Sequence, residues 1–136
     1  MILNPYNPDT LKPLTVFIGR TGSGKREFAR SLEREHGFLA IECPEIGLHP
    51  TEQCAKVEAL VRAAQGNRIV VVTNSPCFLD HCDPKRDSIV IFVNGVGYPL
   101  DQGVVDTFCD EFGLGEVWLN EGDARLAGLK KGAELT

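Results

Sequence analysis

The chain has 136 residues, 43% hydrophobic and 24% charged, with a formal net charge of -5. That size suits one domain with a real core, and the acidic balance argues against broad binding to nucleic-acid backbones, which needs a concentrated positive surface. No apolar run is long enough to span a bilayer, and five cysteines at irregular spacing, with no C-x-x-C pair, predict reduced thiols rather than a disulfide or zinc framework.

Apolar segments alternate between strand-like and helix-like patterns, which predicts an α/β domain of βαβ units around a mainly parallel sheet. The first strand covers residues 14–18, Leu14-Thr15-Val16-Phe17-Ile18. A helix over 26–36 places Phe28, Ala29 and Leu32 on one face and stops at Gly37. The second strand is Phe38-Leu39-Ala40-Ile41, an unbroken apolar run of the kind buried on both faces. A second helix begins near Thr51, carries Cys54, Val57, Leu60, Val61 and Ala64 on one stripe, and ends at Gly66. The third strand, 68–73, contains Ile69-Val70-Val71-Val72, all β-branched.

Ser75-Pro76 predicts an N-cap followed by proline at the first helical position, opening a short helix to about Cys82. The fourth strand covers 88–93 and is closed by an Asn94-Gly95 turn. A last helix fits 103–112, with Val104, Phe108 and Phe112 four apart and Gly113 behind it. Residues 116–120 read as a final short strand, and beyond Glu121 the pattern fades, so 121–136 are expected as a flexible tail. There is no internal repeat or linker, so 1–136 is expected to form a single domain. The start, Met1-Ile2-Leu3-Asn4-Pro5, lacks the layout of a signal peptide, and with the reduced thiols it predicts a cytoplasmic protein without a membrane partner.

The segment that carries chemistry is Gly19-Arg20-Thr21-Gly22-Ser23-Gly24-Lys25, set between the first strand and the first helix. Glycines let the backbone wrap an anion, the helix N-terminus adds partial positive charge, and a lysine at the helix start reaches the outer phosphates. Every position of the P-loop pattern G-x-x-x-x-G-K-S/T is met except the last, where Arg26 replaces the hydroxyl that would sit on Mg²⁺. Two further segments end predicted strands: Ile41-Glu42-Cys43-Pro44-Glu45-Ile46-Gly47-Leu48-His49-Pro50, and Val72-Thr73-Asn74-Ser75-Pro76. Ligands of open parallel sheets bind at that edge.

In this order the three segments resemble the soluble ABC-class AAA-type ATPases, the RecF-like and OLD-like branch, whose hallmarks are D-E-P-E-x-x-L-H-P and then T-H-S-P. The resemblance implies a three-layer P-loop NTPase fold, with the strand ending at Asn74 between those ending at Gly19 and Glu42. It also implies ATP or another nucleoside triphosphate held by Gly19 to Arg26, Glu42 at the magnesium-binding position, Asn74 as a phosphate sensor, and Glu45 as the retained second glutamate. Cys43 falls where the family has its catalytic glutamate, and a thiol cannot polarise water as a carboxylate does. His49 matches the L-H-P histidine, with a structural role in the loop equally open. No segment resembles the serine-glycine signature that a partner subunit supplies.

Three readings stay open from the sequence: an ATP-binding protein with weak or absent hydrolysis, an interaction module that docks on a partner protein or larger ATPase, and a working small ATPase using Glu42 or Glu45. Tyr6 could stack on a base or be a surface aromatic, and Lys130-Lys131 is too short to be more than a solvated tail.

Overall fold

The computed structural model describes residues 8–20 and 22–129. After a single 3-10 turn at Pro8–Thr10 the elements run β1 (Leu14–Gly19), α1 (Lys25–His36), β2 (Leu39–Glu42), α2 (Pro50–Ala63), β3 (Ile69–Val72) and α3 (Pro76–Asp80). They continue with β4 (Ser88–Val93), β5 (Val96–Pro99), α4 (Gln102–Phe108), α5 (Leu114–Glu121) and α6 (Asp123–Leu126). The result is an α/β domain with one five-stranded mixed sheet in the order β2-β3-β1-β4-β5. The first four strands of that order are parallel, and β5 returns antiparallel to β4.

β1 and β3 are buried along their whole length because both faces of the sheet are covered. Alternate residues feed two cores. Val16, Ile18, Val71, Ile89 and Ile91 meet Val57, Leu60, Phe78, Leu79 and Val117 on one side. Phe17, Val70, Val72, Val90 and Phe92 meet Ala29 and Leu32 of α1 on the other. There Phe17, Phe28 and Phe92 form a tilted triad with ring centroids 4.9 to 5.8 Å apart, a geometry worth about 0.5–1.5 kcal/mol per pair beyond area burial.

Three expectations are corrected and one is extended. The second strand is an edge strand rather than one buried on both faces, and Leu39 is 52% exposed. Phe38 lies just before it, buried in the α1-side core with the Arg68 guanidinium over its ring at 4.2 Å. The edge is blunted by the Glu33 carboxylate, which accepts from the Ala40 N–H at 3.2 Å. Second, the Asn94-Gly95 turn closes β4 as expected, and a further strand follows it. The turn leads the chain into β5, with Asn94 at φ 51° and Gly95 at φ 81°, the left-handed pair that a tight hairpin needs.

Third, residues 116–120 are helical. The Asp80 carboxylate accepts from the N–H groups of Gly115 and Glu116 at 2.8 and 3.1 Å, fixing the start of α5, and Val117 turns into the core. Fourth, 121–129 are folded: Leu126 is fully buried and its carbonyl accepts from the Asp101 N–H at 2.8 Å. Residues 130–136 and Tyr6 lie outside the described residues. Among the described residues no helix is long and apolar enough to cross a membrane.

Candidate functional site

The carboxyl ends of β1, β2 and β3 open onto one cleft of about 280 Å³, lined by Gly22, Gly24, Lys25, Arg26, Glu27, Cys43, Val72 and Asn74. The loop after β1 forms its floor. Gly19 leaves the strand at φ 146°, where a Cβ would stand 2.6 Å from the Phe92 carbonyl oxygen, so only glycine fits. Ser23 N–H donates to the Arg20 carbonyl at 3.1 Å, and Gly22 and Gly24 take φ 84° and 95°. The chain thereby turns straight into α1, whose first amides have no intrahelical acceptors. Thr21 lies outside the described residues.

Lys25 is only 5% exposed. Its Nζ donates to the Gly19 carbonyl at 2.9 Å and to the Arg20 carbonyl at 3.2 Å, so the ammonium is satisfied by neutral oxygens of its own loop. Burial pulls its pKa below the usual lysine value, and Cys43 and the Asp123 carboxylate offset part of that shift.

Cys43 sits in the left-handed region at φ 47°, an uncommon conformation for a residue with a side chain. The bond from its N–H to the Val72 carbonyl at 2.7 Å and the turn from Ile46 N–H to its own carbonyl at 3.2 Å hold it there. Burial, then the Glu45 carboxylate, push the thiol's pKa up, so it stays protonated at neutral pH. Asn74 is exposed at the end of β3 and lines the cleft. Behind it Thr73 is fully buried and donates through Oγ1 to Glu45 Oε1 at 2.8 Å. Ser75 accepts from the Phe78 N–H at 3.1 Å, capping α3, and donates to Gln53 Oε1 at 3.0 Å.

Glu45 is therefore tied to Thr73 and does not line the cleft. His49 stands at the N-cap of α2, where its N–H donates to Glu52 Oε1 at 3.0 Å, a local structural role. Ser23, only 8% exposed, lines a second hollow of about 160 Å³ with Arg20, Asn94 and Asp123, and Gly22 borders both. Its Oγ has no hydrogen-bond partner.

No family model, curated protein or solved structure matches the chain. Beside the cleft, two cationic side chains of α1 surround Glu42. Its Oε2 is 3.3 Å from Arg26 Nε, while its Oε1 is 3.3 Å from Arg30 Nε and 3.2 Å from Arg30 Nη2. Both carboxylate oxygens face guanidinium groups carried one turn apart on α1.

That donor set does not fit Mg²⁺, which wants hard oxygen ligands in octahedral array. Arg26 offers no oxygen, Cys43 offers a protonated sulfur, and Glu42 is engaged by two cations, which leaves Glu27 and Asn74 as the oxygen-bearing side chains of the cleft lining, too few for an octahedral protein site. Among the described residues no three His, Cys, Asp or Glu side chains are placed to hold a metal ion. Arg30 and Glu27 were missed from sequence. The spacing of Arg26 and Arg30, four apart on a helix, was the available signal for a shared partner.

Proposed function

We propose that the chain is a small nucleotide-binding protein of P-loop NTPase type, akin to the RecF-like and OLD-like ATPases its motifs resemble, that binds ATP and hydrolyses it weakly or not at all. The observation that carries this reading is the meeting of three strand ends at one cleft. The Gly22 to Lys25 loop supplies amides and an ammonium, and Asn74 at the end of β3 and Cys43 at the end of β2 line the same cleft. The position of β3 between β1 and β2 supports it further, since that is the strand order the resemblance implies.

Weak turnover follows from the same residues. Phosphoryl transfer depends on positioned charge and an oriented nucleophile. Here a protonated thiol occupies the position of the base, and Glu45 is hydrogen-bonded to Thr73 outside the cleft. The interaction-module reading has no comparable convergence behind it, because a docking scaffold has no use for a buried lysine at the centre of a glycine loop.

Calorimetric titration of the full chain with ATP, AMP and inorganic phosphate tests the proposal. Affinity should fall in that order of decreasing phosphate charge or lost nucleoside, with ATP tightest. Absence of heat with all three ligands would end the nucleotide reading.

A further inference from the structure

Resting on that reading, we infer that the cleft takes its polyphosphate as the metal-free anion, with Arg26 standing in for the divalent cation and Arg30 helping to hold Glu42 away from metal. The ion cluster around Glu42 is the basis. A carboxylate at the end of β2, next to a phosphate-type loop, is where a hard cation would be expected to find an oxygen ligand. In this chain each of its oxygens is already opposed by a guanidinium, at 3.2 to 3.3 Å. For Mg²⁺ to reach Glu42, two guanidinium contacts would have to break, and a dication would be brought beside Lys25, Arg26 and Arg30 together. Opposite-charge pairing and like-charge repulsion both act against it.

The same arginines suit an anion. A guanidinium is always charged and presents a planar fork of donors that matches phosphate oxygens. Arg26 lines the cleft, and its side chain is 60% exposed, so it keeps donors free for a ligand while Nε stays on Glu42. Arg30 sits one turn further along α1 and holds the other carboxylate oxygen. Glu42 thus acts as a positioning residue that aims Arg26. In solution Mg²⁺ coordinates the same terminal phosphate oxygens that Arg26 would contact. Metal and protein compete for them.

The test is calorimetry of the full chain with ATP in EDTA-containing buffer and in excess MgCl₂, at matched ionic strength so that screening is equal. The expected result is tighter binding in EDTA, with excess Mg²⁺ weakening it about tenfold, the loss of one charge-assisted hydrogen bond. MgCl₂ alone should give no binding heat. Equal or tighter ATP binding in MgCl₂, or saturable binding of MgCl₂ alone, overturns the inference while leaving nucleotide binding intact. Loss of ATP binding in both buffers overturns the nucleotide reading itself and this inference with it.

Two variants add an independent check, with far-UV circular dichroism to verify folding. Arg26→Ser should weaken binding in EDTA and reverse the sign of the Mg²⁺ effect, because a hydroxyl replaces the guanidinium and frees Glu42 Oε2. Arg30→Gln, outside the cleft lining, should reduce the Mg²⁺ penalty by freeing Oε1. If both folded variants keep the unmodified chain's response to Mg²⁺, the arginines have no such role and the inference is wrong.

Discussion

Lys25 Nζ donates to the carbonyl oxygen of Gly19 at 2.9 Å, closing the glycine loop on itself across six residues. The loop is therefore pinned at both ends, by the strand at Gly19 and by the helix that Lys25 opens. Replacing Lys25 with Ala removes the buried ammonium and leaves two loop carbonyls without their donor. ATP affinity should fall at least about tenfold, the scale of one charge-assisted contact. Matched titrations of the two proteins check it, and equal affinities would remove Lys25 from the binding site.

Turnover by the unmodified chain should be slow, well below the roughly 1–100 per second of competent kinases. Cys43 is protonated at neutral pH and Glu45 lies outside the cleft. Converting Arg26 to Ser together with Cys43 to Glu should raise the rate only modestly, since no partner-supplied group is restored. Steady-state phosphate release, with Lys25→Ala as the contaminant control, decides the matter. A robust rate that disappears in the Lys25 variant would make this chain a working ATPase.

Cys82 should make the fold sensitive to alkali. The thiol is buried beneath α3, and burial first, then the Asp87 carboxylate, push its pKa from 9.0 to about 12. Between those values the unfolded chain releases the proton and the native chain keeps it, so stability falls as pH rises. The contribution is complete below pH 9 and lost by about pH 12. At pH 10.5 the loss amounts to about 2 kcal/mol at most. Urea unfolding at pH 8 and about pH 10.5 should show a larger drop for the unmodified chain than for Cys82→Ala. Parallel drops would mean that other groups carry the effect.

Gly115 sets the spacing between α3 and α5. A Cβ there would lie 1.7 Å from the Pro76 carbonyl oxygen and 2.5 Å from its carbonyl carbon, both backbone atoms that cannot rotate away. Gly115→Ala should cost about 1–3 kcal/mol or more through overpacking. Gly66→Ala, with nothing within 4 Å of the new methyl, should be neutral or stabilising by up to about 1 kcal/mol. Thermal melts of the pair test the contrast, and similar melting temperatures would show that α3 and α5 can separate freely.

β1, β3 and β4 were legible because long β-branched and aromatic runs leave few alternatives once both faces are to be covered. β2, Leu39-Ala40-Ile41-Glu42, has one β-branched residue, and its apolar start carries no signal for how many neighbours flank a strand. The misread 116–120 segment shows a related ambiguity. Val117, Trp118 and Leu119 look strand-like alone, while the Asp80 carboxylate that caps the helix start and the core that takes Val117 come from far away in sequence. β5 was within reach, since Asn-Gly between apolar residues is a hairpin signal. Gly22, Gly24, Lys25, Asn74 and Cys43 do gather at one cleft as their strand-end positions suggest. The grip of Arg26 and Arg30 on Glu42 depends on distances that spacing alone does not supply.

The placement of β1 has a consequence for synthesis. Its neighbours are β3, through Leu14↔Ile69, and β4, through Thr15↔Ser88, while β2 meets it nowhere. A chain emerging from the ribosome therefore exposes β1 as an apolar ribbon with no edge to pair against until residue 72 is out. Its second flank stays open until residue 93 has followed. During that interval helices such as α1 and α2 can form locally, and an unpaired strand of this kind is the sort of surface that holdase chaperones engage. The glycine loop is thus translated ahead of both strands that flank β1 and fix its shape.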